Sequence, residues 1–283
     1  MIPSLIHTKI GIPPIRPALV PRLRLIERLN AGIYGKLSLI SAPAGYGKTT
    51  LAAEWLRGSQ RAVTWLSLDE ADNDPARFLS YFLAALQRID EKAGKETRSL
   101  LQMPEPPSQD ALVTTLLNEL SAISMPFVLV LDDYQLIQTL SIHKLLNAVM
   151  VHQPRQMHLV LITREDPPFP LPRLRARGQV TEIRQADLRF TAQECAEFLE
   201  NVAGLKISKS DISALEHRTE GWAAGLQLAV LSMQGRDDIP RFVEEFTGST
   251  RYVLDYLAQE VFERQSCDVQ NFLLKTSILE RLC

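Results

Sequence analysis

The chain has 283 residues, 46% of them apolar and 23% charged, with a formal net charge of −2, 17 prolines and three cysteines, Cys195, Cys267 and Cys283. So large an apolar share with charges of both signs excludes a mostly disordered or fibrous chain, and the length suits one large domain with smaller appendages. Widely spaced, odd-numbered cysteines frame neither a disulfide scaffold nor a zinc site, near-neutrality argues against nucleic-acid binding by bulk electrostatics, and no uncharged apolar run would span a bilayer, so a soluble cytoplasmic protein is expected.

The first thirty residues carry Lys9, Arg16, Arg22, Arg24 and Arg28 against the single acid Glu27, with five prolines among them. An extended arm that gives way to a helix near Arg22 to Asn30 is expected. KLSLISAPAGYGKTTLAAEWL then runs from a short apolar strand (Leu37 to Ile40) through a glycine loop into a helix that ends near Arg57. The β-branched and aromatic residues of AVTWLSL predict a second strand, and DNDPARFLSYFLAALQRI has helical apolar spacing. MPEPPSQ (Met103 to Gln109) is a proline-rich surface connection to another amphipathic helix, ALVTTLLNELSAI. Two strands apolar on both faces follow, FVLVLDD (Phe127 to Asp133) and HLVLITRE (His158 to Glu165), with a helix around Ile142 to Val151 between them. Such strands suit a parallel sheet sandwiched by helices. After PPFPLP the texture changes. QVTEIRQ reads as the last strand, Thr191 with Glu194 forms a capping box that opens a helix, and from there to the C-terminus only helical periodicity is found.

The segment Ala42-Pro43-Ala44-Gly45-Tyr46-Gly47-Lys48-Thr49 is a P-loop pattern with Ala in place of the first glycine. Small residues let the consecutive amides of Ala44, Gly45, Tyr46 and Gly47 curl around phosphate oxygens at the positive end of the following helix. Lys48 supplies a mobile cation for the β- and γ-phosphates, and the Thr49 hydroxyl is a magnesium ligand. The strand before and the helix after set the segment apart from an ordinary glycine-rich turn. Magnesium on a triphosphate also needs an acid at the end of a neighbouring strand. Asp132 ends the run FVLVLD as the candidate ligand, and Asp133, one residue on, is placed to polarise an attacking water; the plainer alternative is an Asp pair that marks a strand end and a turn. HLVLITR ends in Thr163 and Arg164, which would face the γ-phosphate, or, for Arg164, the solvent. The candidate catalytic set is thus Lys48, Asp133 and Arg164, and the metal set Thr49 and Asp132. The five histidines show no metal-ligand spacing, and Ser41 and Ser67 lack a His and acid constellation for nucleophilic hydrolysis. Arg173, Arg175 and Arg177 form a basic stripe that touches nucleotide or a neighbouring subunit, or else is a solvated strand edge or loop.

The ordered segments VPRLRLIERL, SAPAGYGKTTL, VTWLSLDEADNDPARFLSYFLAAL, VLVLDDYQ, LVLITRE, LRFTAQE, GWAAGLQLA and FLLKTSILERLC closely resemble the ATPase module of the STAND class of signal-transduction ATPases. Within that class the resemblance is to the MalT-like, large ATP-binding regulators of the LuxR group, and it covers practically the whole chain. It implies an α/β P-loop nucleotide-binding domain with an N-terminal arm (1–187), a helical domain (188–262) and the start of a winged-helix domain (263–283), with ADP at their junction in the resting state. It also implies that Lys48, Thr49 and Thr50 bind phosphates and Mg²⁺, that Asp132 and Asp133 are the Walker B acids, and that Arg164 is a sensor-like arginine. Val20 to Arg22 match the segment that lies against base and ribose, which adds Val20 and Arg22 to the nucleotide-binding set. GWAAGLQL stands where relatives have a GxP motif whose proline packs on adenine, with Gln227 at the proline position. FLLKTSILERLC looks like the opening of the winged-helix domain. The wing, a helical-repeat sensor and a LuxR-type helix-turn-helix would all lie outside these residues.

The expected function is an ATP/ADP switch within a signal-responsive transcription activator. ATP with Mg²⁺ would favour an open, self-associating form and ADP a closed one, and slow hydrolysis would reset it; contact with DNA would come only from a further domain. Three other readings stay open: an AAA+-type motor ATPase, a P-loop small-molecule kinase, and a degenerate, purely structural nucleotide binder.

Overall fold

The computed structural model describes residues 5–15, 17–103, 108–205, 207–234, 238–263 and 265–277. Its described residues fall into two compact units, the first drawn from Met1–Pro17, Arg22–Pro43 and Lys48–Leu188, the second from Ala18–Pro21, Ala44–Gly47 and Arg189–Cys283.

The first unit is built on five strands: β1 (Leu37–Ser41), β2 (Ala62–Ser67), β3 (Phe127–Asp132), β4 (Met157–Thr163) and β5 (Val180–Arg184). All pair in parallel, in the order β2-β3-β4-β1-β5. β1, β3 and β4 are buried at every position. Strands covered on both faces lose the polar alternation of a one-sided sheet, which is why their sequences are continuous apolar runs. Parallel neighbours need crossover connections, and helices supply them: α2 (Lys48–Arg57), α3 (Pro75–Leu86), α4 (Lys95–Leu101), α5 (Gln109–Ala122), α6 (Leu140–Val151) and α7 (Leu171–Ala176), while α1 (Leu23–Gly32) precedes β1 and α8 (Gln185–Leu188) follows β5. Phe78, Phe82, Leu129 and Leu161, all fully buried, belong to the apolar core formed with the sheet.

Several element boundaries differ from expectation. β3 stops at Asp132 because Asp133 adopts left-handed backbone angles (φ 57°, ψ 39°) that no strand can continue. The helix expected across DNDPARF is broken at Asp74, which caps α3 by accepting from Arg77 N–H at 2.7 Å ahead of Pro75. A 3₁₀ turn, Glu70–Asn73, precedes that cap. α4 and α7 are short helices that periodicity did not reveal. Arg173 and Arg175 therefore lie on a helix rather than a strand edge, and Arg175 donates from Nε to Glu182 at 2.5 Å. Pro104–Pro107, most of the proline-rich connection, lie outside the described residues.

The second unit is helical: α9 (Ala192–Glu197), α10 (Lys209–Thr219), α11 (Ala223–Met233), α12 (Ile239–Glu245), α13 (Arg251–Leu257) and α14 (Cys267–Thr276). The expected capping box opens α9, with both the Thr191 and Glu194 side chains engaged. The helix does not run on to Ala203 in α form; it widens into a π turn at Phe198–Val202. Cys195, Leu199, Leu215, Leu226 and Phe242 form the core of this unit, which Val20 joins. At the expected start of a winged-helix domain, α14 is the one helix among the described residues, and 278–283 lie outside them.

Candidate functional site

The strand order decides where the chemistry gathers. β4 lies between β1 and β3, so the carboxyl ends of these three strands are adjacent, which is where open α/β sheets place their ligand sites. β1 ends at Ser41 opposite Thr163 of β4 and runs into the glycine loop; β3 ends in Asp132, and β4 is followed by Arg164.

At the loop, Gly45 (φ 80°) and Gly47 (φ 74°) take left-handed angles open to residues without Cβ. The chain enters α2 at Lys48, so the unpaired amides of a ten-residue helix open directly after the loop. Lys48 is buried, and its ammonium donates to Pro43 O at 2.9 Å. Burial foremost, then the nearby Arg164 guanidinium, bring it down to about 8 against the pull of Asp133 and Asp132. Thr49 Oγ1 donates to Asp132 Oδ1 at 3.2 Å, and Asp133 N–H donates to the same carboxylate oxygen at 2.9 Å. Burial, then the adjacent Asp133 carboxylate, push Asp132 up to about 7.

The structure thus gathers Lys48, Thr49, Asp132 and Asp133, and Arg164 acts electrostatically on Lys48. Thr50 is exposed at the surface of α2. Arg22 is buried and donates from Nη2 to Leu188 O at 2.9 Å, while Val20 packs in the apolar core of the second unit. Gln227 is half-buried on α11. In the second unit, which includes Ala44–Gly47, Trp222 Nε1–H donates to Ala44 O at 3.1 Å and Ala224 N–H donates to Gly45 O at 3.0 Å. The first residues of α11 have no side-chain cap, and a loop carbonyl takes one of their free donors instead. Sequence reasoning missed two contributors. Trp222 carries the signal of flanking Gly221 and Gly225, the latter leaving space that a Cβ would take from the indole at 2.6 Å. Gln135 carries no sequence signal at all: its Nε2 donates to Asp133 Oδ1 at 2.9 Å while its Oε1 accepts from Arg164 N–H at 3.1 Å.

With this geometry in hand, the relatives are informative. Residues 34–166 match the AAA domain family. Over 280 residues, 98% of the chain, it is 35% identical to the HTH-type transcriptional regulator MalT of Yersinia enterocolitica and 36% identical to that of Serratia proteamaculans. The chain is MalT-like in sequence over nearly its whole length. It spans 31% of the length of those two MalT proteins. Its fold is that of a Signal Transduction ATPase with Numerous Domains protein with a tetratricopeptide repeat sensor from Pyrococcus horikoshii, with a TM-score of 0.56 at 13% identity over 95% of this chain and 36% of that one. A Walker-type ATPase of Pyrococcus abyssi superposes with a TM-score of 0.55 at 12% identity, covering 93% of this chain and 78% of its own. The MalT-like module is therefore an α/β P-loop NTPase fold. None of its described helices is long and apolar enough to cross a membrane.

The donor set fits a nucleotide-bound magnesium ion. Asp132 is a buried carboxylate that burial and the adjacent Asp133 drive toward neutrality despite the opposing pull of Lys48, and the Thr49 hydroxyl donates to it. Two hard oxygen donors suit an ion that takes its remaining ligands from phosphates and water, and no cluster of three or more acids, histidines or cysteines occurs among the described residues.

Proposed function

We propose that this chain is the ATP-binding regulatory module of a signal-responsive transcription regulator, in which ATP and ADP favour different states and slow hydrolysis resets the switch. The observation that carries this reading is the Thr49–Asp132 pair next to the buried Lys48, on a chain similar to transcriptional regulators over nearly its whole length. The roles follow from charge and position. The amides of Ala44, Gly45, Tyr46 and Gly47 and the start of α2 hold phosphate oxygens, Lys48 neutralises the β- and γ-phosphates, and Thr50 adds a hydroxyl at the first turn. Thr49 and Asp132 hold Mg²⁺, which offsets the negative charge of the triphosphate when bound. Asp133 orients water and takes its proton, and Arg164 reads the γ-phosphate. Val20 and Arg22 border the base and ribose, and Gln227 occupies the position of the adenine-packing proline of relatives without taking over its contact.

A switch responds only to ligands that bind its two states unequally, so tight retention of ADP with slow turnover is the expected signature. Self-association in the ATP state and contact with DNA through a further domain belong to the same proposal. The test is to denature the purified protein and identify the nucleotide it releases, then to measure ATP turnover. Retained ADP, with slow turnover abolished by Lys48→Ala, supports the reading. An empty chain that fails to bind ATP overturns the site, and sustained rapid turnover overturns the switch in favour of a motor.

A further inference from the structure

We propose that Gln135 is a positioning residue of the hydrolytic site, which ties the Asp133 carboxylate to the backbone at Arg164 and so sets the spacing of the acid and the sensor position. The proposal rests on the nucleotide-hydrolysing reading above and deepens it.

The primary amide of Gln135 is used at both ends. Its Nε2–H donates to Asp133 Oδ1 at 2.9 Å and its Oε1 accepts from Arg164 N–H at 3.1 Å. Only one orientation of the amide serves both partners, because the flipped amide would face oxygen with carboxylate and N–H with N–H. Asparagine would be a methylene too short to reach both partners, and glutamate would serve only one.

The turn that carries Gln135 is held rigidly. Asp133 takes its left-handed conformation (φ 57°), a strain of about 1 kcal/mol for a residue with a Cβ. Its carbonyl accepts from Leu136 N–H at 3.0 Å. Tyr134 is 1% exposed, packs on Phe169 with ring centroids 5.5 Å apart, and shares a 2.6 Å hydrogen bond with His143 Nδ1. Nothing about a solvent turn would require this much anchoring. A left-handed residue at the strand end swings the chain so that a side chain two positions on returns over the end of β4. There it meets the amide of the residue that follows the strand, a donor beyond the β1–β4 register, which ends at Thr163.

A bridge of this kind acts on the reaction more than on ground-state affinity, since Asp133 meets the attacking water, Arg164 is held through its backbone N–H, and the γ-phosphate that its side chain reads is absent from ADP. Gln135→Ala should lower kcat for ATP about tenfold or more while KM and the Kd for ADP stay within about twofold. Gln135→Glu separates the two arms, because it keeps the acceptor for Arg164 but sets a second anion against Asp133. It should match the alanine variant in kcat while leaving hydrogen exchange at the Arg164 amide as slow as in the parent. In Gln135→Ala that amide should exchange faster in the nucleotide-free chain. Adding Gln135→Ala to Asp133→Asn should cost little more, because the bridge acts through that carboxylate. An unchanged kcat in Gln135→Ala, parallel losses in kcat and affinity, or equal exchange at Arg164 in all three proteins would overturn the proposal. Nucleotide binding by the parent chain tests the reading of the site separately, and the exchange measurement on the nucleotide-free protein decides the bridge even if that reading fails.

Discussion

Thr49 Oγ1 stands 3.2 Å from Asp132 Oδ1, a pairing of the first turn of α2 with the end of β3 across 83 positions of sequence. In the proposed site these two oxygen donors would hold a cation jointly, so each should fail differently. Thr49→Ala should weaken ATP binding about tenfold or more in the presence of Mg²⁺ and change magnesium-free ADP binding little. Asp132→Asn should keep nucleotide binding and slow hydrolysis about a hundredfold. Titration of a fluorescent nucleotide with Mg²⁺ and with EDTA, followed by single-turnover hydrolysis, distinguishes them.

The two glycines of the loop are not equivalent. A Cβ on Gly45 would meet Ala224 Cβ and Trp222 Nε1, each at 2.6 Å, and Tyr256 Oη at 2.9 Å, whereas a Cβ on Gly47 would meet nothing within 4 Å. Gly47→Ala therefore costs only the left-handed backbone, about 1 kcal/mol, and Gly45→Ala adds overpacking for about 3 kcal/mol in all. Thermal denaturation of the nucleotide-free variants checks the order; equal losses would show that the space around Gly45 gives way.

The N-terminal arm is tied down by charge. Lys9 is 9% exposed, and its Nζ donates to Asp72 at 2.5 Å and Asp69 at 2.8 Å, with Arg77 Nε donating to the other oxygen of the fully buried Asp72 at 3.1 Å. Asp72→Ala removes the fully buried anion shared by Lys9 and Arg77 and leaves them only the half-exposed Asp69, a loss of about 3 kcal/mol. Lys9→Met, which removes one cation and keeps its apolar stem, should cost clearly less. Urea midpoints at constant m-value measure both.

A buried histidine makes stability depend on pH. His158 is fully buried between Ser38 Oγ, 3.0 Å from Nε2, and Gly35 O, 2.9 Å from Nδ1. The neutral tautomer with the proton on Nδ1 satisfies both, since it donates to the carbonyl and accepts from the serine hydroxyl. Burial brings this histidine down to about 4, below its unfolded value of 6.5. The unfolded chain therefore binds the proton first as pH falls. The stabilisation is full above about pH 6.5, declines between 6.5 and 4, and reaches a loss of about 3 kcal/mol below that. Denaturant unfolding at pH 7, 5 and 4 should show this slope, and His158→Gln should flatten it.

Much of the fold was legible from local pattern. Continuous apolar runs marked β1, β3 and β4 because both of their faces are buried, and Thr191 with Glu194 announced the start of α9 because a capping box is completed within four residues. What escaped was set by distant partners or by short range. The left-handed angles of Asp133 shortened a strand that the apolar run extended by one residue, and α7 is a single helix of six residues in a proline-flanked stretch without periodicity.

For the site, the order of residues alone determined the phosphate loop with Lys48 and Thr49 and the Asp pair that ends β3, because each depends on neighbours within a few positions. Only the tertiary structure decided that β4 lies between β1 and β3, that the hydroxyl of Thr49 meets the carboxylate of Asp132, and that the amide of Gln135 reaches both Asp133 and Arg164. The reason is physical. Strand order in a parallel sheet is fixed by which crossovers bury the most apolar surface over the whole unit, and a side-chain hydrogen bond between two strand ends exists only once that order has placed them side by side.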